Sequence, residues 1–154
     1  MPRVYQVKST KAEPVSVAYT IDGSVGPGCQ NAREDVLLVQ HLLRRAWQDC
    51  PRSKGFRPPG ETQPLKADGI PGPTTNRFIK FFQEECVRRG ANVTQDGRVD
   101  PVKSGASTSG GSHSFYTILA MNSARNSRQM GNQDDITSDP EFPQELRKHF
   151  FIDW

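Results

Sequence analysis

Residues 68–83 read DGIPGPTTNRFIKFFQ, and this stretch decides which fold the sequence can form. Its opening Asp-Gly pair is a common turn dipeptide. Pro73 has its φ angle preset for the first position of a helix, where a missing N–H costs nothing. Phe78 and Phe82 then follow at helical spacing. The stretch therefore predicts a turn that starts a helix whose aromatic face lies in a core.

A stronger helical pattern lies upstream, in residues 31–47. The apolar side chains that share one face of this helix are Val36, Val39, Leu43, Ala46 and Trp47. Asn31 followed by Glu34 is typical of a capping box, in which the two side chains bond each other's backbone N–H. We therefore expect a helix that begins near Asn31.

The two helices belong to an internal repeat. Residues 22–40, DGSVGPGCQNAREDVLLVQ, align with residues 68–83 because each has a DG turn, a second Gly-Pro and a helix that reaches Gln40 or Gln83. The sequence DGRVDP at 96–101 begins a third copy that loses the second glycine. A repeated loop and helix cannot bury its own apolar stripe, so we expect the helices to pack on each other.

The chain divides into three parts. Residues 1–21 form an N-terminal part, in which the alternating segment 15–21 and a shorter partner at 3–8 predict a β-hairpin. Residues 22–126 hold the repeat and a short third helix, which follows a Gly/Ser-rich stretch at 103–114. Residues 127–154 predict a linker and an amphipathic helical arm. The predicted fold is mainly α, with three helices, a short hairpin and a C-terminal arm.

The composition limits the classes of protein. At 154 residues and 34% hydrophobic content, the chain can form one core with many loops. No apolar run approaches the roughly 20 residues of a membrane span, and the N-terminus lacks a signal-peptide pattern. We therefore expect synthesis in the cytoplasm, no membrane partner, and a non-classical route if the protein reaches the periplasm or cell wall.

Charge is distributed unevenly along the chain. Residues 128–154 carry three basic and six acidic side chains, whereas the preceding 127 residues have a net charge of +6. The basic body could meet an anionic partner, or the acidic tail could lie across it. Glu84 and Glu85 interrupt the basic residues of the second helix, so nucleic acid is not an expected partner.

Enzymatic patterns are absent from the sequence. The three histidines form no HExxH motif, and no phosphate-binding GxxxxGK loop occurs. The odd number of cysteines, Cys29, Cys50 and Cys86, without CxxC spacing, favours free or buried thiols over disulfides or zinc. A pairing of Cys29 with His113 in space stays open. We expect no catalytic residues, no metal and no cofactor.

The sequence DVLLVQHLL at 35–43, followed by DGIPGPTTNRFIKFFQ and DGRVDP, resembles the small helical peptidoglycan-binding domain of bacterial and phage cell-wall hydrolases. The resemblance covers about residues 22–126. This chain departs from the family pattern in its long 48–67 loop and in the Gly/Ser-rich insertion. The resemblance implies a three-helix, non-catalytic module that holds glycan strands or stem peptides in a shallow groove.

The resemblance also implies a set of binding residues. Those at the edge of the groove, or on helix faces near it, are Asp68, Gly69, Gly72, Thr74, Thr75, Gln40 and Gln83. Asp68 could instead bond its own turn, and each glutamine could bond a loop backbone. The N–H groups of Thr74 and Thr75 could receive a stem-peptide carboxylate at the start of a helix.

The C-terminal arm supports an alternative function. The side chains of its apolar stripe are Phe142, Leu146, Phe150 and Trp154. This stripe either folds back on the body or docks on another protein. The alternative to a wall-binding module is therefore an adaptor or structural protein of a secretion or phage particle that binds a protein through the arm.

Overall fold

The computed structural model describes residues 3–7, 16–49, 56–102, 116–125 and 139–149. These residues form a mainly helical fold. The elements in chain order are the strands β1 (Arg3–Val7) and β2 (Ser16–Thr20), the helices α1 (Arg33–Asp49), α2 (Pro73–Arg88) and α3 (Thr117–Arg125), and a 3-10 helix (Gln144–His149). The two strands pair antiparallel, with Arg3 opposite Thr20.

Helix α1 is the centre of the core. Its apolar side chains are almost fully buried, and it packs against α2, α3 and the 3-10 helix. The Trp47 ring of α1 lies 5.9 Å from that of Phe78 on α2, and Phe56 lies 4.4 Å from Phe82 between ring centres. The apolar stripes predicted for both helices are therefore buried against each other and against the loop between them.

The capping box predicted at the start of α1 is wrong. The Asn31 side chain does not cap the helix but accepts a hydrogen bond from the Gly26 N–H and donates to the carbonyls of Gly26 and Cys29. Asn31 has a left-handed φ of 52°. The helix begins instead with the Val36 N–H donating to the Ala32 carbonyl. Asn31 closes a loop, which is the other common use of an asparagine side chain.

Helix α2 begins and ends where its sequence predicts. Pro73 is the first helical residue. At the other end Gly90 has φ 88°, its N–H donates to the Val87 carbonyl, and the Ala91 N–H donates to the Cys86 carbonyl. This pair of bonds is a Schellman motif, which needs a residue with positive φ and therefore favours glycine.

Two polar links attach the remaining elements to the core. Asn122 of α3 accepts a hydrogen bond from the Tyr19 N–H and donates to the Tyr19 carbonyl, which ties α3 to β2. Val25 and Val99 exchange two backbone hydrogen bonds, so the first and third DG turns lie side by side. The three turns and three helices thus share one core.

The C-terminal segment, residues 139–149, packs on α1. Its described helical part is the short 3-10 helix, which begins directly after Pro143 and follows turns between Asp139 and Phe142. Phe142 and Leu146 are buried in the common core. Phe150 and Trp154 lie outside the described residues.

None of the helices in the described ranges is long and apolar enough to cross a membrane. Cys29 is partly buried and Cys86 is buried on α2, and neither forms a disulfide among the described residues. Cys50 lies outside the described residues.

Candidate ligand pocket

Gln40 organises the loop that leads into α2. Its Oε1 accepts a hydrogen bond from the Gly69 N–H at 2.8 Å. Its Nε2 lies within 3.1 Å of three acceptors, which are Asp68 Oδ1, the Ile70 carbonyl and Thr75 Oγ1. Gln40 is 1% exposed, so these bonds form in a dry environment where an unpaired amide would be costly. Residues 68–70 are called the Gln40 loop below.

Gln83 organises the loop that follows α2 with the same set of bonds. Its Oε1 accepts from the Gly97 N–H at 2.8 Å. Its Nε2 lies within 3.1 Å of Asp96 Oδ1, the Arg98 carbonyl and Thr117 Oγ1. Residues 96–98, the Gln83 loop, therefore repeat the Gln40 loop atom by atom.

The two loops also share their backbone geometry. Gly69 has φ +74° and Gly97 has φ +73°, a left-handed conformation that glycine adopts without strain. The first DG turn is built differently. There the carboxylate of Asp35, on α1, accepts hydrogen bonds from the backbone N–H groups of Asp22 and Gly23.

A pocket of about 360 Å³ opens between α1, the first turn of α2 and the loop between them. The residues that line it are Gln40, Glu61, Gln63, Pro64, Leu65, Lys66, Asp68, Ile70, Gly72, Pro73, Thr74, Thr75 and Phe78. Five of the seven predicted binding residues are among them. Gly69 lies in the Gln40 loop beside the pocket, whereas Gln83 lies on α2 and binds the equivalent loop that follows this helix.

The first turn of α2 presents backbone donors at this pocket. Gly72 is the N-cap residue, and no side chain caps the helix. The first N–H groups of a helix have no acceptor within the helix, and the aligned peptide dipoles add partial positive charge there. Thr74 is exposed, whereas Thr75 is buried and bonded to Gln40. The start of α2 therefore suits an anionic or polar group of a ligand.

The charged groups around the pocket are paired or close to one another. Glu61 forms an ion pair with Arg77 of α2. Burial raises the pKa of the Asp68 carboxyl, but hydrogen bonds from the Ile70 N–H and Gln40, together with the charge of Lys66, outweigh it and leave the pKa below its ordinary value. Asp68 is therefore ionised at neutral pH and serves its own loop, as its position before glycine suggested.

Two features of the pocket lie outside the residues that the sequence motifs predict. Ile70 is 62% exposed at the pocket, and among the described residues the other exposed large apolar side chain is Val87, at 37%. Lys66 is exposed on the pocket wall. The position of Ile70 between the DG and GP dipeptides was a usable signal, because an apolar residue inside a turn has no helix or strand face to join.

The described residues offer no cluster of three or more His, Cys, Asp or Glu side chains that could hold a metal ion. Burial raises the pKa of the Cys29 thiol, and the charges of Asp100 and Asp96 add to this against the opposing effect of Arg98. A raised pKa is the opposite of what activates a cysteine nucleophile. His113, its hypothetical partner, lies outside the described residues.

Comparisons with known proteins found no matching protein-family model, no matching curated protein and no matching solved structure. The resemblance to peptidoglycan-binding domains therefore rests on the sequence motifs of residues 22–126.

Proposed function

We propose that this chain is a non-catalytic module that binds peptidoglycan through the pocket at the start of α2. One observation carries the proposal. The DGxxGPxT motif, on which the family resemblance rests, forms one wall of a pocket whose other wall includes Gln40 from the second matching motif. In this proposal α1, α2 and α3 correspond to the three-helix bundle of the peptidoglycan-binding domain.

The pocket chemistry supports binding of one sugar unit or of part of a stem peptide. The uncapped start of α2 and the ammonium group of Lys66 would receive a carboxylate of the peptide. Ile70, Leu65 and Phe78 would contact methyl groups or the apolar face of a sugar ring. A volume of about 360 Å³ lies in the range of small-ligand sites and suits one sugar unit or a few peptide residues.

Retention on purified, insoluble peptidoglycan tests this function. The intact chain is expected to sediment with the wall material, and Ile70→Ser is expected to reduce the retained fraction at least threefold. Val87→Ser is the matched control because Val87 is also exposed and apolar but lies near the end of α2, away from the pocket. Absence of retention for the folded intact chain would refute the proposal.

A specific observation favours keeping the adaptor as the second candidate. The C-terminal segment lies on α1 with its glutamates bonded to Arg33 and Arg44, which supports docking of a partner's acidic amphipathic peptide on the same helix. Phe142 and Leu146 are buried in that contact, so a partner would have to displace them. The adaptor predicts no wall retention for the intact chain or for a chain ending at Asn126, and a co-purifying protein that only the intact chain retains.

A further inference from the structure

Two arginines of α1 each contact both the C-terminal segment and the pocket wall. Arg33 forms a bidentate pair with Glu145, with its Nη2 2.7 Å and its Nε 3.0 Å from the two carboxylate oxygens. The remaining nitrogen, Nη1, donates to the Asp68 carbonyl at 3.0 Å. One planar guanidinium thus joins residue 145 to residue 68.

Arg44 repeats this arrangement about three turns further along α1. Its Nε and Nη2 each lie 3.1 Å from a carboxylate oxygen of Glu141. Its Nη1 lies 3.4 Å from the Leu65 carbonyl. Gln48 also donates to Glu141, at 3.0 Å. Leu65 and Asp68 both line the pocket, so each arginine contacts the backbone of a lining residue.

The acidic residues of the C-terminal segment are held in place by packing. Phe142 and Leu146 are 3% and 0% exposed, and each directly follows one of the two paired glutamates. Asp139 adds contacts to Arg45 at 3.2 Å and to His41 at 3.4 Å. The apolar contacts therefore fix the positions of the Glu141 and Glu145 carboxylates. These carboxylates in turn hold the guanidinium groups of the two arginines in place.

We propose that the C-terminal segment regulates the pocket, with Arg33 and Arg44 as positioning residues that transmit its docking to the wall at residues 65–68. That the pocket binds a ligand rests on the proposed function, whereas the coupling between the C-terminal segment and residues 65–68 needs no ligand. Docking of the segment rigidifies the wall, and release of the segment frees both guanidinium groups. Because coupling is reciprocal, a ligand that needs the ordered wall also favours the docked segment.

Lysine cannot replace arginine in this arrangement. A guanidinium offers five donors in a fixed plane, so it can hold a carboxylate with two and a carbonyl with a third. An ammonium group keeps the charge but not that geometry. The pairs are also accessible to solvent, with Arg33 and Glu145 54% and 52% exposed, so added salt should weaken the coupling.

Amide hydrogen exchange measures the coupling without a ligand. The double variant Glu141→Gln, Glu145→Gln is expected to raise the exchange rates of the Gly69 and Ile70 amides about three- to tenfold. The expected change is of this size because each exposed ion pair contributes little stabilisation and two are lost. The Gly97 and Arg98 amides are the internal control, because they donate to Gln83 and Asp96 just as the Gly69 and Ile70 amides donate to Gln40 and Asp68. Arg33→Lys with Arg44→Lys should reproduce the effect.

Lys148→Gln is the matched control variant. It removes the contact at 3.6 Å between Lys148 and Glu34, which also joins the C-terminal segment to α1 but does not involve either arginine. Exchange in both loops should then stay at the wild-type rate. Unchanged exchange at Gly69 and Ile70 in the Glu141, Glu145 double variant overturns the coupling. An equal rise in both loops also overturns it, since that indicates general destabilisation.

A binding measurement separates this inference from the proposed function. If the intact chain is retained on insoluble peptidoglycan, the double variant should be retained less at 0.1 M salt, and the difference should shrink at 1 M salt. Equal retention of the two proteins at low salt would count against regulation of the pocket. If the intact chain is not retained, the proposed function fails, and the exchange rates alone decide whether the coupling exists.

Discussion

Gln40 and Gln83 hold equivalent positions in an internal repeat. In each case the side-chain amide bonds the aspartate side chain, the glycine N–H and the carbonyl of the third residue of a loop that begins Asp-Gly. It also bonds a threonine at the start of the next helix. Each glutamine thereby joins its own helix to the loop that leads into the next helix of the chain. The repeat thus extends from sequence to hydrogen bonds, and it provides two copies of one structure, only one of which borders the pocket.

Gln40→Leu and Gln83→Leu should destabilise the protein similarly but affect binding differently. Each change leaves buried loop donors and acceptors unpaired, and we expect the free energy of unfolding to fall by about 2–4 kcal/mol in urea titrations. Peptidoglycan retention, measured where both variants are folded, should fall for Gln40→Leu alone. If Gln83→Leu lowers retention equally, the pocket beside Gln40 is not the site.

Gly69→Ala and Gly97→Ala test how the Gln40 loop meets α1. Both glycines are left-handed, so alanine costs about 1 kcal/mol at either position. A Cβ at Gly97 would meet nothing within 4 Å, whereas at Gly69 it would lie 2.8 Å from Arg33 Nη1. Gly69→Ala should therefore be the more destabilising by urea titration. Equal effects would show that Arg33 moves aside freely.

The start and end of α2 could be predicted because their causes are local. Pro73 and Gly90 act through their own backbone angles, and the DGxxGPxT motif places Asp68 to Thr75 in one short stretch. The site residues carried by that stretch came together in the pocket for the same reason.

The features that sequence did not predict depend on distant partners. The Asn31 side chain is suited either to cap a helix or to close a loop. In the structure it closes the loop, through hydrogen bonds with the Gly26 backbone. Residues 61–66, most of which line the pocket, have no helical or strand periodicity from which their position could be predicted. The contact between Arg33 and Glu145 spans 112 positions, and no local pattern indicates which of many arginines an acidic tail will meet.

Acid should weaken the docking of the C-terminal segment through Asp139. Contact with His41, a hydrogen bond from the Glu141 N–H and the charge of Arg45 hold the pKa of Asp139 at about 2, against the effect of burial. Because this pKa is lowered from 3.8, the stabilisation is complete above pH 3.8 and is lost as the pH falls through about 2.

Urea titrations from pH 6 to pH 2 measure this loss. The free energies of unfolding of the wild type and Asp139→Asn should differ most at pH 6 and converge toward pH 2, because asparagine does not titrate. A difference that stays constant over the range would mean that the carboxylate is not stabilised in the folded protein.

Phe142→Ala and Leu146→Ala should destabilise the whole protein, because both side chains belong to the core that α1 organises. Removal of such buried groups costs about 2–5 kcal/mol through lost apolar burial and the cavity left behind. Lys148→Ala, an exposed change in the same segment, should stay within about 0.5 kcal/mol of the wild type. Urea titration distinguishes the three. If the two core variants unfold at the wild-type midpoint, residues 139–149 do not dock on α1 in solution, and Phe142 and Leu146 are then available to a protein partner.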